Sequence, residues 1–192
     1  LVDITKDVTA AIADYEPCTP ERFMARTKTY KKADIREAVE MIRASRKPFV
    51  LIGGGAIISE ASDVIRRFID KIDAPFSETL MAQGAVDQHD PRYTGMPGMH
   101  GTKTSNLAIG RCDLLIALGT RFSDRVYGNA TSFAHRAKIL QIDVDAAEIN
   151  KNIKVDHAII GDLREVLDKI NDQLDGVKHA DWLQEIRGLK EK

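Results

Sequence analysis

Five short apolar runs, at residues 48–52, 74–79, 113–118, 138–142 and 157–160, set the tightest limit on what this chain can fold into. Most are unbroken rather than alternating, the pattern of strands covered on both faces. The segments between them carry a helical period instead. In 34–46, Ile35, Ala38, Val39 and Ile42 fall at i, i+3, i+4 and i+7, with Asp34 and Glu37 spaced like a capping box. In 59–71 the same stripe is Ala61, Val64, Ile65, Phe68 and Ile69. A later helix opens on Asp162 as N-cap, has Glu165 three residues on, and buries Leu163, Val166, Leu167 and Ile170. Strand and helix in alternation predict an α/β fold, a doubly wound parallel sheet with helical crossovers.

In such sheets ligands bind beyond the carboxyl ends of the strands, where amides and helix N-termini collect. The residues after the runs are Gly53-Gly54-Gly55, Thr79-Leu80-Met81, Gly119-Thr120-Arg121, Asp143-Val144-Asp145 and Gly161-Asp162. The glycine triplet suits close backbone approach to a ligand or a plain tight turn. Ile58 stands where a dinucleotide fingerprint would have its last glycine, so that fingerprint is incomplete. Asp143 can accept two hydrogen bonds from a ribose or can cap the next helix, and Asp162 has the setting of a cap more than of a ligand. Arg121 and Arg125 flank Asp124, which gives guanidinium forks for a phosphate or carboxylate, or a surface ion-pair loop. His100 lies just before a helix spanning 102–111, whose N-terminal amides favour an anionic or polar ligand.

Several chemistries find no support. His89, His100, His135, His157 and His179 form no metal-ligand spacing, and neither a nucleophile elbow nor a phosphate-binding Walker loop is present. Lys+Arg at 28 against Asp+Glu at 29 gives a net charge of −1, so nothing electrostatic favours nucleic acid or an anionic membrane. Cys18 and Cys112 belong to no C-x-x-C pair, which argues against a disulfide framework or structural zinc and suits a reducing cytoplasm.

Organisation follows from composition. Leu1-Val2-Asp3-Ile4 reads as a strand already under way, and prolines, threonines and charges without period continue to Lys32. The compact domain is expected to begin near Ala33, after an inter-domain linker, and nothing visible in the chain performs bond-breaking chemistry.

Four ordered motifs carry a resemblance. They are Ser77-Glu78-Thr79-Leu80-Met81-Ala82-Gln83-Gly84-Ala85, Tyr93-Thr94-Gly95-Met96-Pro97-Gly98-Met99-His100-Gly101-Thr102, the run from Asp113 through Gly119-Thr120-Arg121-Phe122-Ser123-Asp124-Arg125-Val126, and Ile142-Asp143-Val144-Asp145-Ala146-Ala147-Glu148-Ile149-Asn150-Lys151-Asn152. In these the chain resembles the central domain of the acetohydroxyacid (acetolactate) synthases, thiamine-diphosphate enzymes. The resemblance implies a Rossmann-like domain that binds FAD through Gly54, Thr79, Leu80, Pro97, Gly98, Met99, His100, Gly119, Thr120, Arg121, Phe122, Ser123, Asp143, Val144, Asp162 and Leu163. Pro97 stands where the family more often has Leu, and Ser123 where it often has Asp. It implies 1–32 as the tail of a preceding domain and a linker, 33–176 as the central domain, and 177–192, with Trp182, Leu183, Ile186 and Leu189, as a helical linker towards a C-terminal domain, with no catalytic residue in this chain. For the intact enzyme it implies thiamine diphosphate and Mg2+, held by the N- and C-terminal domains, and condensation of pyruvate with a second 2-keto acid in branched-chain amino-acid biosynthesis. It also implies a homodimer or tetramer, a possible small regulatory subunit, and a cytoplasmic location, or a plastid or mitochondrion in a eukaryote. The alternatives are another thiamine enzyme such as glyoxylate carboligase or pyruvate oxidase, a non-catalytic nucleotide-binding regulatory module, and a deacetylase-like NAD enzyme.

Overall fold

The computed structural model describes residues 3–14, 16 and 30–191. In chain order the elements are α1 (Lys6–Ala10), α2 (Lys32–Ala44), β1 (Pro48–Ile52), α3 (Gly55–Ile58), α4 (Ser62–Ile72) and β2 (Phe76–Glu78). They continue with α5 (Lys103–Arg111), β3 (Leu114–Leu118), α6 (Asp124–Tyr127), β4 (Lys138–Asp143), β5 (His157–Ile160), α7 (Leu163–Asn171) and α8 (Ala180–Lys190). The five strands form one parallel sheet in the order β2-β1-β3-β4-β5. After β2 the chain returns to the other side of β1, so the loops leaving β1 and β3 diverge and open a crevice between them.

The central runs, β1, β3 and β4, each feed two cores. Val50, Ile52, Ile116, Leu118, Leu140 and Ile142 point into one cluster with the stripes of α2, α4 and α7. Phe49, Leu51, Leu115, Ala117 and Ile139 point into the other, closed by α5 and α8. The both-faces-covered reading of the runs and the doubly wound α/β fold therefore hold.

Boundaries shift for local reasons. Helix α2 starts earlier than expected, because the Lys31 N–H, not that of Asp34, is the one capped: it donates to the Asp34 carboxylate at 2.8 Å. The same helix stops at Ala44 because Asp113 gathers the Ser45 hydroxyl and the amides of Arg46 and Lys47. The helix expected over 59–71 begins only at Ser62, as α4; the short α3 ends just before the expected start, where the Ser59 hydroxyl turns back onto the Gly55 carbonyl at 2.7 Å and Glu60 has φ +51°. β2 is shorter than 74–79, because Pro75 has no N–H to give a ladder.

The chain ends also differ from expectation. Leu1 and Val2 lie outside the described residues, as do 17–29 of the expected linker. Asp3 and Ile4, read as strand, are in neither strand nor helix; the short α1 follows, with none of its residues buried. The segment read as a helical linker contains α8, which packs back on the sheet through Trp182, Ile186 and Leu189.

Candidate functional site

Glycines bring the two divergent loops into contact at the sheet's carboxyl edge. Gly53 N–H donates to the Leu118 carbonyl at 2.8 Å and Gly55 N–H to the Gly119 carbonyl at 3.0 Å. A Cβ on Gly53 would sit 2.3 Å from the Gly119 oxygen, and one on Gly55 would sit 2.8 Å from the Gly119 Cα. The triplet thus serves loop-against-loop packing. Left-handed backbone is needed at Gly119, φ +58°, and not at Gly53, Gly54 or Gly55.

Above these loops lies a cleft of about 700 Å³, the size of a cofactor site. Gly54, Thr79, Leu80, Pro97, His100 and Gly119 line it, and so do Thr120, Arg121, Ser123, Asp143 and Val144. Most of the expected site residues, drawn from five separate loops, therefore converge. The expected site residues did not include Gly55, Ile58, Met81, Met96, Arg125, Val126 or Glu148, which also line the cleft. Arg125 aside, their apolar or generic side chains carry no chemical signal in a single sequence. Ile58, Leu80, Met81 and Val144 are exposed at 87%, 69%, 75% and 59%, giving the cleft an unusually apolar rim.

Five expected residues do not line it. Gly98 (φ +93°) is pressed against Arg125, whose carbonyl would lie 2.1 Å from an added Cβ. Met99 N–H donates to that same carbonyl at 2.9 Å while its side chain is exposed. Phe122 is buried, its ring 5.9 Å edge-on from Phe133, so it contributes backbone alone to the loop. Asp162 is occupied as the α7 cap, accepting from Glu165 N–H at 3.1 Å, and Leu163 is buried beside it.

The remaining polar groups sort themselves by partner. Arg125 faces Asp124 at 3.6 Å with both side chains about two-thirds exposed, a surface pair. Arg121 has no ion-pair partner among the described residues and opens onto the cleft. The helical cap after β4 is Asp145, which accepts from Ala147 N–H at 2.9 Å, so Asp143 is not the cap. Burial pushes the Asp143 carboxyl above its ordinary value; the amides of Asp145 and Val144 oppose this, and the charges of Glu148 and Asp145 add to it.

One buried group was missed. Glu78, at the end of β2, accepts from Val86 N–H at 2.8 Å, Gln88 Nε2 at 2.9 Å and Gly84 N–H at 3.2 Å. It folds the segment carrying Leu80 and Met81 over the cleft's edge. Only its position at a strand end hinted at this. Among the described residues no cluster of three His, Cys, Asp or Glu could hold a metal ion, and no helix is long and apolar enough to cross a membrane.

Comparison with known proteins agrees with this layout. Residues 35–170 match the family described as thiamine pyrophosphate enzyme, central domain. The chain is 40% identical to the probable acetolactate synthase large subunit of Methanocaldococcus jannaschii, over 98% of this chain and 33% of that protein. It is 38% identical to the acetolactate synthase isozyme 2 large subunit of Escherichia coli K12, over 100% of this chain and 34% of that one. An acetolactate synthase of Mycobacterium bovis is 39% identical, over 99% and 32%. The chain thus spans about a third of the length of the curated relatives it matches. With the matched region holding all five strands and the glycine loops between them, the chain belongs to the family of thiamine pyrophosphate enzyme central domains.

Proposed function

We propose that this chain is the FAD-binding central domain of an acetolactate synthase large subunit and carries no catalytic residue of its own. One observation carries the reading: a single cleft at the topological switch point gathers glycine loops, an arginine with no ion-pair partner among the described residues, a strand-end aspartate and an apolar rim. A dinucleotide with one apolar aromatic end needs all four. In this reading Gly54 and Gly119 leave room for the cofactor, and Arg121 meets its phosphates. Asp143 accepts from the ribose hydroxyls. Leu80, Pro97 and Val144 wall the flavin from water, and His100 closes the end beside α5.

Thiamine diphosphate, held by flanking domains of the intact protein with Mg2+, supplies the decarboxylation of pyruvate and its joining to a second 2-keto acid. That condensation is redox-neutral, so the flavin acts as a structural wall. The neighbouring domains on either side, a homodimer or tetramer, and a small regulatory subunit belong to the same proposal.

The test is equilibrium titration of the purified chain with FAD, followed by flavin fluorescence, with ADP as competitor. Saturable binding that ADP competes, weakened about tenfold or more by Asp143→Ala, is the expected result. Since burial raises the Asp143 carboxyl, affinity should decline on acidification at a higher pH than an ordinary aspartate would give. FAD binding that is indifferent to Asp143→Ala would remove the role given to that residue.

A further inference from the structure

The loop between Gly119 and Asp124 has its carbonyls tied down on one side. Gln141, wholly buried on β4, donates through Nε2 to the Thr120 carbonyl at 3.1 Å. Asn152 donates through Nδ2 to the Phe122 carbonyl at 2.9 Å and the Arg121 carbonyl at 3.4 Å. In a trans peptide the C=O and the following N–H point in opposite directions. The N–H groups of Arg121, Phe122 and Ser123 are therefore turned away from Gln141 and Asn152.

None of these three amides donates to a protein acceptor among the described residues. Thr120, Arg121 and Ser123 all line the large cleft, and Arg121 and Ser123 also line the smaller polar cavity that Asn152 lines. Phe122 adopts φ +49° and anchors its ring in the core, so the turn is fixed from the side-chain end as well. Consecutive amides held with a left-handed residue among them form a concavity for an anion, next to a guanidinium with no ion-pair partner among the described residues.

We propose that Gln141 and Asn152 are positioning residues: by holding three loop carbonyls they aim the Arg121, Phe122 and Ser123 amides at an anionic diphosphate in the cleft. The assignment rests on the dinucleotide reading above but concerns residues outside the large cleft's lining. It has a chemical consequence. Replacing Asn152 should affect ligands that carry the diphosphate and spare those that do not.

The experiment uses the full chain labelled with 15N and titrated with ADP and with adenosine. With ADP, the amide resonances of Arg121, Phe122 and Ser123 should shift along with those of Asp143 and Val144; adenosine should move the latter pair alone. In Asn152→Leu, ADP affinity should fall about tenfold, the loss of one charge-assisted hydrogen bond, with adenosine affinity within about twofold of wild type. Asn152 is exposed, so the variant should keep the wild-type thermal midpoint. Gln141→Leu, read in the same way, stands in if it does not. ADP shifts at Asp143 and Val144 with none at 121–123, or an Asn152→Leu variant with unchanged ADP affinity, would overturn the positioning role and leave the dinucleotide reading intact. No shift with ADP or FAD anywhere in the wild-type chain would remove both.

Discussion

Single residues show most clearly where chemistry is spent on the fold and where it is left for a ligand. Asp113 is an acid spent on the fold: it accepts from the Ser45 hydroxyl, Arg46 N–H at 2.8 Å and Lys47 N–H at 3.0 Å, tying the end of α2 to the start of β3. Burial alone would push its carboxyl up, yet the Ser45, Arg46 and Lys47 hydrogen bonds outweigh it and hold the value below the ordinary one. A depressed acid contributes stability that is fully present above about pH 4 and is lost as pH falls through the folded value. We expect Asp113→Ala to cost about 2 kcal/mol in urea denaturation at neutral pH, and the gap from wild type to narrow on acidification. A constant difference across that range would show that the ionised carboxylate is not what matters. Asp143 is the opposite case, a carboxyl raised by burial with one bond from Asp145 N–H at 3.0 Å and open space beside it.

Elements owe their boundaries to such residues and their stability to packing. The stripes of α2, α4 and α7 were legible because a helix can bury only one face and the spacing of its apolar residues states which. Helix α8 was legible as a helix but not as part of the core, because its period is the same whichever surface it meets. Trp182 decides the matter: it is 2% exposed, donates through Nε1 to the Pro48 carbonyl at 2.9 Å, and has Lys47 Nζ 5.3 Å from its ring. Trp182→Ala should cost roughly 3–5 kcal/mol. A loss under about 1 kcal/mol would mean that α8 is a detachable linker, and chemical denaturation distinguishes the two.

At the scale of the whole molecule the sheet and its crossovers form one cooperative body, whereas residues 3–14 are exposed throughout and α1 buries nothing. Removing residues 1–14 should therefore leave the unfolding free energy within about 0.5 kcal/mol of the full chain. A larger change would reveal a contact between that segment and the sheet. The five runs, the helical stripes and the turn chemistry after each strand determined by themselves that the fold would be a parallel α/β sheet with glycine-rich and polar loops at its carboxyl edge, since period and burial are local properties of sequence. Tertiary structure alone decided that the glycine triplet faces a second glycine loop, that Arg125 is paired while Arg121 has no ion-pair partner among the described residues, and that Glu78, Gln141 and Asn152 shape the loops around the cleft. Each of those outcomes depends on which loops meet in space: Gln141 lies 21 positions from the carbonyl it holds, and Asn152 is 30 from one of its own. No period along the chain encodes such a pairing.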